Sequence, residues 1–274
     1  MGIGFSGVDH VGRTVIKNIE YTLRVLLMVY LSLRATVVDQ TQGLRTIFSV
    51  VSSQIYFTGF QALPLISVLA VAAGGIVVLQ SASQLSLLGG TDLLGNLLVV
   101  IIVRELGPLM TALVVIARSG TAVASEVGNM RANREIEALE VLGINPLSYI
   151  VFPRLVGGVL SVLCLSFYFT LIALGAGFAV TWLMNEMPLS FYLNSLAQAV
   201  AFEDIWLFLV KNTFSGIIIF VVSCYQGLSV KRSPTEVPVV TTQAVVKSII
   251  YVVVFNLTVS GMFYIQQLMG MGVL

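Results

Sequence analysis

The 274 residues are 57% hydrophobic and only 10% charged, with a mean hydropathy of +0.99, which is more apolar surface than one water-soluble core can bury, so much of it must face lipid. The formal net charge of +1 supplies no general field for gathering nucleic acid, and the placement of the charges carries more than their sum. Cys164 and Cys224 both lie inside apolar runs, which suits small buried hydrophobes rather than a disulfide framework or a metal site.

Asp9, His10, Arg13, Lys17 and Glu20 fall within the first twenty residues, where no short apolar stretch ends in a small-residue cleavage site, so a removable signal peptide is not expected. Residues 10–36 then place Val11, Val15, Ile19, Leu23, Leu26, Leu27 and Tyr30 at helical spacing. Arg13, Lys17, Glu20, Arg24 and Arg34 interrupt them, the pattern of a helix lying in the membrane interface rather than crossing it. His10, the only histidine, reads as a solvated residue of that surface helix, and residues 44–55 continue the surface element. The interfacial segment as a whole is placed at 1–56.

Five later stretches are long and apolar enough to span a bilayer, at roughly 57–80, 93–117, 149–184, 206–228 and 244–268. The third is long enough to tilt or break. The expected organisation is therefore an all-α polytopic membrane protein forming a single domain over 1–274. Spans one and two occupy 57–117, a polar loop 118–148, and spans three to five 149–268.

Lysine and arginine set the orientation, because positive loops stay cytoplasmic. Five precede the first span (Arg13, Lys17, Arg24, Arg34, Arg45), four flank the loop after the second (Arg118, Arg131, Arg134, Arg154) and three flank the loop after the fourth (Lys231, Arg232, Lys247). Residues 81–92 and 185–204 contain neither lysine nor arginine but carry Asp92, Glu186, Glu203 and Asp204. A cytoplasmic N-terminus and a periplasmic C-terminus follow. Five spans do not divide into two inverted halves, which argues against a self-contained secondary carrier. Gly74-Gly75, Gly157-Gly158 and the Gly175/Gly177 pair read as sites of close helix packing or bending.

No HExxH, GxSxG, paired intramembrane carboxylates or glycine-rich phosphate loop is present, so hydrolase or ATPase chemistry in this chain is not expected. The remaining basic residues, Arg104 and Lys211, fall within or at the edge of spans, where charge is costly and usually functional. Arg104, followed by Glu105, lies about 16 Å into span two from its outer end, and Lys211 about one and a half turns into span four. One reading has Arg104, Glu105 and Lys211 holding a water-accessible chamber for a charged headgroup beside apolar walls. The other is a structural ion pair, with Lys211 snorkelling to the outer interface.

The loop at 117–154 is small-residue-rich around Glu126 and then reads as a short helix at 133–142. Asn133 is its expected cap, Glu135 and Glu137 lie in its first turn, and Gly143 terminates it before Asn145-Pro146. Ile136, Leu139 and Glu140 share one face, and Ala138, Val141 and Leu142 the other. Such a helix lies on the membrane surface or docks on a partner.

In these residues the chain resembles the MlaE-type permeases, also called YrbE-like or Mce-associated, of ABC transporters that move lipids across the bacterial envelope. The matching run is RELGP at 104–108, ARSG at 117–120, SEVGNMRANREIEALEVLGINP at 125–146 and Pro153-Arg154, with a weaker match in TTQAVVKS at 241–248. The resemblance implies a homodimeric, non-catalytic permease in the bacterial inner membrane, working with two cytoplasmic ATPase subunits that bind ATP and Mg, a periplasmic MCE-domain lipid carrier and a small regulatory subunit. Phospholipid would be the cargo and outer-membrane lipid asymmetry the purpose. It further implies that Glu135, Glu137, Ala138, Leu139, Val141, Leu142 and Gly143 couple to an ATPase. Arg104, Glu105 and Lys211, with Ile76, Leu79 and Gln80 as wall residues, would line an outward lipid cavity. The chain departs from the family at 231–240, KRSPTEVPVV, where relatives are glycine-rich and Pro234 and Pro238 stiffen the connection. The competing functions are a stand-alone secondary transporter or channel using the intramembrane charges, and a scaffold without transport.

Overall fold

The apolar runs fold as helices throughout the computed structural model, which describes residues 4–38, 44–88, 94–185, 188–231 and 233–270. Lipid offers no partner to a backbone N–H or C=O, so a spanning segment must close its hydrogen bonds internally. Among the described residues there is no strand. Five helical segments are long and apolar enough to cross a membrane: Phe48–Ser81, Gly95–Ala132, Leu147–Met184, Phe202–Leu228 and Pro234–Gly270. The five expected spans are all present, each extended at one end or both relative to its hydropathy boundaries.

Helix α1 (Gly4–Val38) turns Ile19, Leu23, Leu26, Leu27 and Tyr30 outward and buries Met28, Ser32 and Ala35. Its Ser32 Oγ donates to the carbonyl of Leu147 at 3.2 Å. The side chains of His10, Arg13 and Lys17, together with Asp92, Glu186 and Arg232, lie outside the described residues. Helix α2 (Leu44–Thr58) runs through a single 3-10 turn, Phe60–Ala62, into α3 (Leu63–Leu88). Span two is assembled from α4 (Leu94–Leu98), a π-helical stretch Val99–Leu106, α5 (Gly107–Val115), a second π stretch Ile116–Gly120 and α6 (Thr121–Ala132). The third span opens with π residues Leu147–Val151 and continues unbroken as α8 (Phe152–Asn185). At 34 residues α8 is about 51 Å long. Because a bilayer core is about 30 Å thick, it tilts or projects rather than breaking.

The acidic stretch after span three, read from sequence as a loop, contains helix α9 (Leu189–Ala199). Tyr192 anchors it, its buried hydroxyl donating to the Leu174 carbonyl at 2.9 Å. Burial pushes that hydroxyl up to about 12. Spans four and five are α10 (Phe202–Leu228) and α11 (Val237–Gly270). The proline-bearing connection between them forms a 3-10 turn, Pro234–Glu236, and Glu236 accepts the Lys231 N–H at 3.0 Å.

Glycine sets the close contacts. A Cβ at Gly74 would run into the backbone carbonyl of Ala173 on α8, and one at Gly158 into the ring of Phe220 on α10. Gly157 and Gly177 are similarly crowded, whereas Gly75 and Gly175 have room and are not packing sites. Gly74→Val is expected to lose about 1–3 kcal/mol through overpacking, seen as a lower Tm of the detergent-solubilised protein, while Gly175→Ala leaves Tm unchanged. Cys224 is buried as expected, but Cys164 is exposed on the outward side of α8. A thiol facing lipid is as apolar a fit as one in the core.

Candidate functional site

Span two carries Arg104 and Glu105 where its backbone departs from α-helical pairing. In the Val99–Leu106 stretch the Gly107 N–H reaches back to the carbonyl of Ile102, an i→i+5 bond of the kind that often marks functional positions. Lys211 of α10, fully buried, donates from Nζ to the main-chain carbonyl of Arg104 at 2.7 Å and to Glu105 Oε1 at 3.0 Å. A buried ammonium needs close acceptors to offset lost hydration. Lys211 is thus turned inward to an ion pair rather than snorkelling to the interface.

Arg104 faces a second carboxylate. Its Nε lies 2.6 Å from Asp204 Oδ1, with both side chains nearly or fully buried. Asp204 is itself fixed by the start of α10, where its Oδ2 accepts the Ala201 N–H at 2.9 Å, an acid well placed against the positive end of the helix. The Arg104 guanidinium also lies over the ring of Phe263 on α11, 5.2 Å from its centroid, a cation–π contact. Glu105 completes the network by accepting Ser260 Oγ at 2.9 and 3.1 Å. One helical turn earlier on α11, Asn256 Nδ2 donates to Ser215 Oγ of α10 at 3.1 Å.

Two cations and two carboxylates therefore tie spans two, four and five together with no net charge. Of the four, Glu105 is the one reaching outward, with its side chain 38% exposed. Beside the network lies a groove of about 930 Å³ between the ends of α10 and α11, whose walls include Trp206, Val210, Val259, Met262 and Phe263, with Glu203 and Gln266 as polar members. None of Arg104, Glu105 and Lys211 is among its lining residues, and neither are Ile76, Leu79 and Gln80, which sit on the exposed side of α3.

Asp204, the last acid of the basic-free stretch 185–204, belongs to the first turn of α10. The usable signal was its spacing, seven residues before Lys211 and hence on the same helical face. Ser260, Asn256 and Phe263 gave no such signal, because isolated polar and aromatic residues in an apolar run look alike whichever way they point.

At the far end of span two, α7 (Glu135–Val141) is shorter than expected. Asn133 ends α6 instead of capping α7, and Arg134, in the left-handed region at φ 60°, takes the position before α7 without a side-chain cap. Gly143, at φ 75°, closes the helix. Its N–H bonds the Glu140 carbonyl at 3.0 Å and the Ile144 N–H bonds that of Leu139 at 2.9 Å, a Schellman ending. Ile136 is buried, Leu139 is half-buried, and Glu137 pairs with Arg131 at 3.1 Å. Glu135 and Ala138 are exposed, and Val141 and Leu142 stand 87% and 73% exposed at the tip. The two faces read from the sequence are thus a packed one and a free one.

Residues 51–262 match the family model described as Permease MlaE. A probable ABC transporter permease protein of Rickettsia bellii is 30% identical over 79% of this chain and 84% of its own length. That of Rickettsia conorii is 31% identical over 79% and 83%, and one from Synechocystis is 27% identical over 77% and 80%.

Proposed function

This chain belongs to the MlaE family of ABC transporter permeases, and from that membership we propose that it carries phospholipid between the bacterial inner membrane and a periplasmic MCE-domain protein, maintaining outer-membrane lipid asymmetry. The observation that carries the reading is the charge-balanced network of Arg104, Glu105, Lys211 and Asp204 beside an amphipathic groove. A phospholipid needs both kinds of surface at once: fixed charge and hydrogen-bonding groups for its headgroup, and apolar wall for its chains.

Energy comes from ATPase partners, and the proposed contact for them is α7, from Glu135 to Gly143, presenting Val141 and Leu142. The positive-inside distribution supports a cytoplasmic N-terminus and α7, and puts the groove at the periplasmic side. The outward apolar face of α11, with Ile250, Val254 and Leu257 each more than half exposed, supplies surface for a second copy of the chain or for lipid. A small regulatory subunit would complete the assembly.

Affinity purification of the tagged chain in mild detergent, with mass spectrometry of proteins and lipids, tests the reading. Recovery of an ATPase, an MCE-domain protein and stoichiometric phospholipid is expected. Recovery of the chain alone, without lipid and with ion flux in liposomes, would move the assignment to a stand-alone transporter working through the same four charges.

A further inference from the structure

Glu126 follows Glu105 by 21 residues on span two, a separation of about 31 Å at helical rise. That is close to the thickness of a bilayer core, about 30 Å, so the two carboxylates lie toward opposite membrane faces. Around Glu126 is a second recess, about 570 Å³ in volume, walled by α2, α6 and the beginning of α8.

Its polar groups are arranged asymmetrically. Arg154 is buried, pairs through Nη2 with Glu126 Oε1 at 2.7 Å and donates Nη1 to the Ile150 carbonyl at 3.1 Å. The Glu126 side chain is 60% exposed, so only one edge of its carboxylate is committed. Ser49, Ser53 and Gln54 of α2 face the same recess, and Gln54 spends its amide N–H on Thr58 Oγ1 at 2.8 Å. The free capacity is therefore mostly that of acceptors, a carboxylate oxygen, two hydroxyls and an amide carbonyl, beside one donor, the buried Nε–H of Arg154. The matching ligand is a cation with several N–H donors, which is a primary ammonium.

The surroundings indicate where such a group comes from. Phe48 and Tyr56 on the outward side of α2, and Phe60 in the 3-10 turn after it, are 74%, 57% and 62% exposed, with Tyr56 of the kind that sits at the membrane–water boundary. Phe57, which walls the recess, carries the Arg118 guanidinium over its ring, 5.1 Å from the centroid, where Arg118 donates Nη1 to the Phe57 carbonyl and Nη2 to Gln61 Oε1, each at 2.8 Å. That places a positive charge next to the ammonium site, as suits the phosphate two carbons away in an ethanolamine headgroup.

We propose that this recess binds the ammonium of an ethanolamine-type phospholipid headgroup, with Glu126 as its ligand, in the leaflet opposite the Arg104–Glu105 network. The site stands whether or not the chain transports phospholipid. Native mass spectrometry of the full chain, titrated with phosphatidylethanolamine, phosphatidylcholine and phosphatidylglycerol, tests it. Phosphatidylethanolamine should bind about tenfold more strongly than the other two, the size of one charge-assisted hydrogen bond.

Glu126→Gln, which keeps a partner for Arg154, and Ala122→Phe, which fills the recess without touching the ion pair, should each abolish that preference. Leu171→Ala, on the exposed side of α8, should leave it intact. Equal binding of the three lipids, a preference that survives Ala122→Phe, or one lost in Leu171→Ala would each overturn the proposal. Displacement of the lipid by soluble O-phosphoethanolamine at equal concentration would overturn the lipid source.

Discussion

Lys211→Met is expected to cost about 3 kcal/mol of stability and to abolish transport in the reconstituted complex. Losing one member of a buried pair strands the other, a penalty of about 3–5 kcal/mol. The low end applies because Glu105 is 38% exposed and keeps Ser260 as a donor. The Arg104 carbonyl also loses its 2.7 Å partner. Arginine is not an adequate replacement, since its wider planar fork brings further N–H donors into a buried site built for one compact ammonium.

The combined change Lys211→Met with Glu105→Gln should recover much of the stability, because it removes both charges. It should not recover transport if the charges hold a headgroup. Thermal unfolding and lipid transfer measured side by side separate the two roles. Wild-type transfer by Lys211→Met would end the assignment of these charges to the cargo site.

The double substitution Val141→Asp, Leu142→Asp is expected to leave insertion and folding intact while eliminating ATPase capture. These side chains are 87% and 73% exposed, at the last residue and the C-cap of α7, whose Schellman bonds are made by the backbone of Gly143 and Ile144 rather than by either side chain, and surface changes of this kind usually stay within about 0.5 kcal/mol. Burial against a partner groove would bring about 1.5–3 kcal/mol per side chain. Losing both lowers affinity by roughly two to four orders of magnitude. Co-purification of the ATPase with the variant at wild-type yield would show that α7 docks elsewhere or not at all.

Much of the fold was readable because lipid imposes a coarse rule: a span must be long, apolar and helical. The rule fixes the number of spans and leaves their ends open. Glu126 and Arg131 lie in the same helical run as Leu113, since a helix does not stop where the membrane does. Helix α9 escaped notice because a short segment without basic residues says which side it is on, not what shape it takes.

The charges of the site were legible one at a time, since each is costly in a span. Their pairing was not. Lys211 meets Glu105 across 106 positions of sequence, and Asp204 meets Arg104 across 100, distances over which helical periodicity carries no information. At α7 helical spacing puts Ile136 and Leu139 on the packed side and Ala138, Val141 and Leu142 on the free one, but it groups Glu140, which is exposed, with the packed pair. The cap is displaced by competition, with Asn133 in the end of α6, where its N–H bonds the Asn129 carbonyl at 2.9 Å.

The π stretch in span two has a consequence for how that helix is aimed. Each i→i+5 turn accommodates a residue that an α-helix would not, and one residue is worth about 100° of rotation. Excising a single residue between Val99 and Leu106 would return that stretch to α-helical pairing and leave the segments beyond facing as they do, whereas excising one from the α-helical stretch Leu94–Leu98 would swing everything beyond it by about that angle. Thr111, Ala112, Val115 and Ile116, now fully enclosed, would be carried round toward the lipid. A span so uniformly oily has no greasy side to choose, so its azimuth is set by counting residues and by where its few charges are moored.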